Sequence, residues 1–207
     1  MKLYDAMTPN SLRLNVFLAE KGIDVPRQKV DVLGGGTRTP AFLALNSLGE
    51  LPTIELDDGT ILTESIAICR YFEGLHPKPN LMGASPLEQA QIERWNRRVE
   101  IQLFDVIGSV ARHSFDFFAD KIEQIPEYAA SQRRLFGEKL AWFDREMSDG
   151  RTFIAADHLT VADITGIAVL FVCDLFDHPI PADLKNAKRW EATMRARPSF
   201  AGLRQAA

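Results

Sequence analysis

The rhythm of apolar residues changes once along this chain, and that change constrains the fold more than any figure of composition. Up to residue 75, strand-like and helix-like stretches alternate; beyond residue 85 every periodic stretch is helical. Lys2–Tyr4 opens a short strand. Asn10 or Ser11 can cap a helix that runs through Leu14, Val16, Phe17, Leu18 and Ala19 and stops at Gly22. Arg27–Val32 reads as a second strand by its alternation, Gly34–Gly36 as a turn, and Thr37–Leu45 as a short helix. LPTIEL and ILTE, joined through Asp58-Gly59, make a hairpin. A helix over Glu64–Leu75 follows, with Ile66, Ile68, Tyr71, Phe72 and Leu75 turned inward. The order is βαβαββα, so this part is α/β.

The tract HPKPNLMGAS breaks both rhythms and is the natural boundary. Residues 1–75 then form one domain, 76–85 a linker and 86–207 a second, all-helical domain. Ser85 can cap its first helix, with Pro86 in the first turn, where a missing N–H costs nothing. Ile92, Trp95, Val99, Leu103, Val106, Ile107 and Val110 form one 3.6-residue stripe, which predicts one long helix. The stretch FDVIGSVARHSFDFF places Phe104, Phe115, Phe117 and Phe118 on it. A second helix spans Glu127 to Met147. A third starts at Thr160, where Thr160 and Asp163 make a capping box and Leu159 and Ile164 occupy the staple positions. This third helix is apolar on every side and belongs in the centre of its domain. Lys185–Ala196 and Ser199–Gln205 close the chain.

Composition excludes several classes of function. Of 207 residues, 46% are hydrophobic and 25% charged, which rules out a disordered chain. The net charge of −4 divides as −2 before residue 81 and −2 after it, leaving no basic stripe for nucleic acid. No apolar run is long enough for a membrane helix, and MKLYDAMTPN lacks the apolar core of a signal peptide, so a soluble intracellular protein is expected. Cys69 and Cys173 sit in apolar helical patterns and read as small buried hydrophobes. His76, His113, His158 and His178 are never at metal-ligand spacing, so no metal site is expected.

Three features of the first domain carry chemistry. MTPNSLR puts the hydroxyls of Thr8 and Ser11 and the amide of Asn10 at a helix N-terminus, where free N–H groups favour an anion such as a thiolate; capping alone also explains them. GELPTIEL has a proline at a strand start. A cis Leu51-Pro52 bond would turn the Leu51 backbone outward to pair with an extended peptide, although the residues alone favour a trans bond. TESIAI places Glu64 and Ser65 on the first turn of a helix, suiting a ligand ammonium and carboxylate, or serving as a cap.

Together these stretches, with DDGTILTESIAICRYF and LTVADITGIAVL, resemble the cytosolic glutathione S-transferases over nearly the whole length. The resemblance implies a thioredoxin-like domain followed by an all-helical one, glutathione as cosubstrate without a metal, a hydrophobic electrophile as second substrate, a homodimer and a cytoplasmic location. Thr8 falls where serine-type members keep the hydroxyl aimed at the glutathione sulfur, supported by Asn10 and Ser11. The Thr8-Pro9-Asn10 run is similar to a bacterial, nu-like subgroup. Pro52 matches the family's cis-proline and Leu51 the backbone partner of the glutathione cysteine. Glu64 and Ser65 match the pair that holds the γ-glutamyl end. Glu50 stands where many members carry a cation or amide near the glycine carboxylate, and Arg38 is a possible substitute. In the family the helix that carries Phe104, His113 and Phe115 lines the electrophile cleft, which the resemblance implies here; core packing or a dimer interface for the phenylalanines, and a solvated position for His113, are the other readings. Conjugation of the thiolate to that electrophile is the function implied, with glutathione-dependent disulfide or peroxide reduction, or a non-catalytic binding role, as alternatives.

Overall fold

The structure, a computed structural model, describes residues 1–205. It divides into two compact units, residues 1–81 and 82–201. No helix among the described residues is long and apolar enough to cross a membrane.

The first unit is a four-stranded sheet with three helices. Strands β1 (Lys2–Asp5), β2 (Arg27–Lys29), β3 (Thr53–Glu55) and β4 (Ile61–Leu62) lie in the order β2-β1-β3-β4. β1 is parallel to β2 and antiparallel to β3, and β3 is antiparallel to β4. The element order is the one the alternating pattern predicts, and the arrangement is the thioredoxin-like one that the resemblance implies. β2 is shorter than the expected 27–32, although the Val30 N–H still reaches the Asp5 carbonyl. Both faces of β1 are covered, since Leu3 and Tyr4 point to opposite sides and both are buried. Tyr4 packs with Phe42 and Leu51 in a small second core.

Helix α1 (Pro9–Lys21) is capped not by Asn10 or Ser11, as expected, but by Thr8, whose hydroxyl accepts the Ser11 N–H because Pro9 already opens the first turn; it ends at Gly22 in the left-handed region. The expected helix 37–45 is two pieces, a 3-10 turn Gly36–Arg38 and α2 (Pro40–Leu45), because Thr39 caps a new start at Pro40. Helix α3 covers Ser65–Leu75. Ile68 and Phe72 are buried as expected, Ile66 and Tyr71 only half so, and Leu75 is exposed where burial is expected. Lys21 in the last turn of α1 meets Glu73 in the last turn of α3 at 2.7 Å. The two helices therefore run in the same direction, and their N-termini open at the same end. The buried Lys21 ammonium also donates to the carbonyls of His76 and Pro79, fastening the chain as it leaves α3.

The second unit is helical throughout. The expected single long helix is interrupted: α4 (Pro86–Val99) passes through a π-helical turn, Glu100–Phe104, into α5 (Asp105–Arg112). All seven residues of the predicted stripe are nevertheless buried. The helix ends at Arg112, so Phe115, Phe117 and Phe118 are not on it; they lie on the following loop and its 3-10 turn. Helices α6 (Pro126–Glu146), α7 (Val161–Leu175) and α8 (Lys185–Arg195) complete the unit, and α9 (Pro198–Gln205) begins in it. α7 is buried continuously from Val161 to Cys173. Its capping box forms as predicted, and Asp163 also accepts the Ile154 N–H and the Trp190 indole N–H. The Trp190 ring sits where a Cβ on Gly166 would be, 2.5 Å away, so α7 must be glycine there. Helix α8 has no cap of its own; Asp144 on α6 takes the N–H groups of Asn186 and Ala187 instead.

One surface contact predicts a pH dependence. His178 Nε2 accepts a hydrogen bond from Arg133 Nε at 3.1 Å, so that nitrogen carries no proton. Partial burial and the Arg133 charge hold the imidazole below its usual pKa, and Asp177 opposes them. The unfolded chain then binds more protons than the folded one below about pH 6.5, and stability falls as pH drops through that point. The urea midpoint is expected to decline between about pH 6.5 and 5, and to decline less in His178→Gln. Identical slopes for both proteins contradict the assignment.

Candidate active site

The register of the sheet assembles the site. Tyr4 pairs with Thr53, so the end of β1, which leads to Thr8, lies beside Leu51-Pro52. Ile54 pairs with Leu62, so the chain leaving β4 brings Glu64 and Ser65 alongside the same end of β3. The parallel packing of α1 and α3 points both helix N-termini there as well. Three segments far apart in sequence thus meet at one edge of the sheet, and two of them supply helix N-termini with unpaired N–H groups.

Each predicted residue has a definite place. The Thr8 Oγ1 accepts the Ser11 N–H at 3.3 Å. A hydroxyl that is an acceptor in its cap still has its own proton to donate. Asn10 is half-buried in the first turn. Ser11 is brought to the same turn, but its side chain is fully buried and its hydroxyl has no partner among the described residues. Its N–H is already given to Thr8, so the expected support from Ser11 at the sulfur is not offered by its side chain.

The Leu51-Pro52 bond is cis, against the trans bond that the residues alone favour. The Leu51 side chain is buried in the small core, and its backbone N–H and C=O make no hydrogen bond among the described residues. Glu64 does not lie within the first turn of α3; it is the residue just before it, exposed, at φ 64° and ψ 112°. A non-glycine residue held there is strained by about 1–3 kcal/mol, and such strain concentrates at ligand sites. Ser65 is buried at the helix start.

Glu50 is exposed, with its carbonyl held by Asn46 Nδ2 and Thr53 Oγ1. Arg38 donates from Nη1 to the Leu48 carbonyl at 2.9 Å. Any Cβ on Gly49, at φ 62°, would meet that nitrogen at 2.8 Å. The guanidinium thus lies against the segment two residues ahead of Leu51. Asn46 is a supporting residue that carries only a faint mark in the sequence. It is buried, and its amide fastens Leu48, Glu50 and Thr53 together. An Asn just past a helix end, three residues before a glycine, was the available signal.

In the second unit, Phe104 is half-buried at the end of the π-helical turn. His113 ends α5, accepts the Ile125 N–H at Nδ1 and packs edge-on to Tyr128 at 5.0 Å. Phe115 is 47% exposed. Both cysteines are buried, and burial pushes their thiols up to about 12, so neither supplies a thiolate.

Comparison with known proteins gives the assembly a family. Residues 8–75 match the family model for the glutathione S-transferase N-terminal domain, and residues 109–198 match that for the C-terminal domain. The chain is 32% identical over 208 residues to glutathione S-transferase 2 of Saccharomyces cerevisiae, covering 98% of this chain and 89% of that protein. The fold superposes on the crystal structure of a glutathione S-transferase domain-containing protein from Marinobacter aquaeolei with a TM-score of 0.91 at 36% identity, covering 97% of this chain and all of that one. The crystal structure of Gtt2 from Saccharomyces cerevisiae also gives 0.91, at 31% identity over 98% of this chain and 100% of that one. The chain belongs to the glutathione S-transferase family.

Proposed function

We propose that this chain conjugates glutathione to hydrophobic electrophiles. One observation carries the reading: a hydroxyl with a free proton, two helix N-termini and an unpaired stretch of backbone converge at one edge of a thioredoxin-like sheet. In this assignment Thr8 donates to the glutathione sulfur, with Asn10 beside it. Leu51 ahead of Pro52 pairs with the cysteinyl backbone. Ser65 and the α3 N-terminus hold the γ-glutamyl carboxylate, and Glu64 the ammonium. Arg38 takes the glycine carboxylate, which offsets the repulsion from Glu50. Phe104, His113 and Phe115 serve the electrophile.

The chemistry then follows from electrostatics. A free thiol titrates near pH 8.5, so thiolate is scarce at neutral pH. A hydrogen-bond donor and a helix N-terminus favour the charged form, and the thiol proton leaves to solvent. The thiolate attacks the electrophilic carbon and the S–C bond forms; an aryl halide then loses its halide with the bonding pair, and an enone takes up a proton from solvent at the carbon next to its carbonyl. The nucleophile belongs to the cosubstrate, and the protein orients and stabilises it. The homodimer and cytoplasmic location that the resemblance implies belong to the same proposal; sedimentation of the purified chain checks the first.

Calorimetric titration with glutathione and turnover of aryl halides and enones test the reading together. Binding with turnover supports it; neither one overturns it. Within it, Arg38→Ala is expected to raise KM for glutathione about 5- to 20-fold, the loss of one charged hydrogen bond, with kcat within about twofold. A fall in kcat at unchanged KM contradicts that role for Arg38.

A further inference from the structure

The loop between α5 and α6 is a preformed aromatic platform. Its path is fixed by its own hydrogen bonds. Gln124 Nε2 donates to the carbonyls of Arg112 and Phe115, both at 2.9 Å, and the Ile125 N–H donates to His113. The N–H groups of Phe118 and Ala119 close onto the carbonyls of Phe115 and Asp116. On this frame Phe117 and Phe118 pack edge-to-face at 5.0 Å, and Phe176 from the end of α7 meets Phe115 edge-on at 5.2 Å. Phe115 remains 47% exposed, and Leu175 beside Phe176 is 57% exposed. A rimmed aromatic cluster left open to solvent marks a contact site.

Two observations say what it contacts. The chain itself already seats a cation there: the Lys121 ammonium, which donates to the Phe117 carbonyl at 2.5 Å, lies 3.4 Å from the centre of the Phe117 ring. Aromatic faces carry negative quadrupole potential and attract such groups. The charge of the rim is also one-sided. Asp116, Asp120, Glu123 and Asp177 are exposed carboxylates, and Lys121 is the one lysine or arginine of the stretch 113–124. The neighbouring cations are turned to other partners, Arg112 to Ser109 Oγ and Arg133 to His178.

We propose that this platform binds hydrophobic aromatic cations in preference to anions of the same shape. It follows, resting on the transferase reading above, that the electrophile drawn to it is an aromatic one bearing positive charge rather than a carboxylated or sulfonated one. The binding preference itself does not depend on that reading.

The test is calorimetric titration of the full chain with two matched naphthalenes, one carrying a trimethylammonium group and one a sulfonate. The cation is expected to bind about tenfold more tightly at low ionic strength, with the gap shrinking to about twofold in roughly 0.5 M salt as the carboxylates are screened. Asp116→Asn combined with Glu123→Gln should cut the low-salt ratio to about threefold or less. Phe115→Ala should weaken both ligands equally. Equal or tighter binding of the sulfonate, or binding of neither, overturns the proposal. Conjugation of glutathione to an uncharged aryl halide is measured alongside. Its loss with the cation preference intact counts against the transferase reading alone, and its retention without the preference counts against this inference alone.

Discussion

Asp163→Ala is expected to unfold the helical unit well below the melting temperature of the native chain. The carboxylate is fully buried and accepts from four donors: the N–H groups of Ile154 and Thr160, the Thr160 hydroxyl and the Trp190 indole. Alanine leaves the buried backbone N–H groups and the indole without partners, and each such group costs about 1–3 kcal/mol. It also removes the cap of the central helix. The combined loss is at least about 3 kcal/mol, at the far end of what single substitutions do. For a unit of this size it lowers Tm by about 10 °C or more. Asp163→Asn keeps the shape but turns an amide N–H₂ toward Thr160, where donors already converge, and should recover only part of the loss. Calorimetry on the three proteins decides the matter. A Tm for Asp163→Ala within about 2 °C of the native value contradicts the role given to this carboxylate.

Thr8→Ala is expected to lower kcat/KM for aryl halides by about 10- to 100-fold, the effect of removing one donor aimed at developing or stored negative charge. The same substitution removes the cap of α1 and should cost about 1 kcal/mol of stability. The two consequences separate in Thr8→Ser, which keeps both the cap and the donor and should stay within about threefold of the native rate. Steady-state kinetics beside thermal melts distinguish them. Equal losses of stability with unchanged kcat/KM reduce Thr8 to a cap and nothing more.

Local rules that act within a few residues were legible in the sequence. The Thr160–Asp163 box, the Gly22 stop, the Asp58-Gly59 turn and the all-apolar α7 each need only neighbouring residues, and each formed. The π-helical turn at Glu100–Phe104 was not legible, because the stripe from Ile92 to Val110 stays in phase on its buried side. Leu75 was misplaced for a related reason: periodicity carries an apolar residue inward at a helix end even where nothing is left to pack against it.

The candidate site divides along the same line. Thr8, Asn10, Glu64 and Ser65 were recognisable as helix starts, and the structure gives them one shared edge. The cis bond at Leu51-Pro52 and the left-handed Glu64 depend on tertiary context, so the residues alone favoured ordinary geometry. The burial of the Ser11 hydroxyl and the reach of Arg38 across Gly49 to Leu48 likewise depend on which segments pack together. Family resemblance supplied what periodicity could not, and the hydrogen bonds show which of the suggested groups already have partners.

If this sheet edge binds glutathione and holds its sulfur as a thiolate, ultraviolet titration of the thiolate band of glutathione bound to the native chain will show it. The bound thiol is expected to titrate about one to two units below its free value near pH 8.5, with the shift largely lost in Thr8→Ala. Glutathione that binds with an unshifted thiol, or does not bind at all, contradicts it.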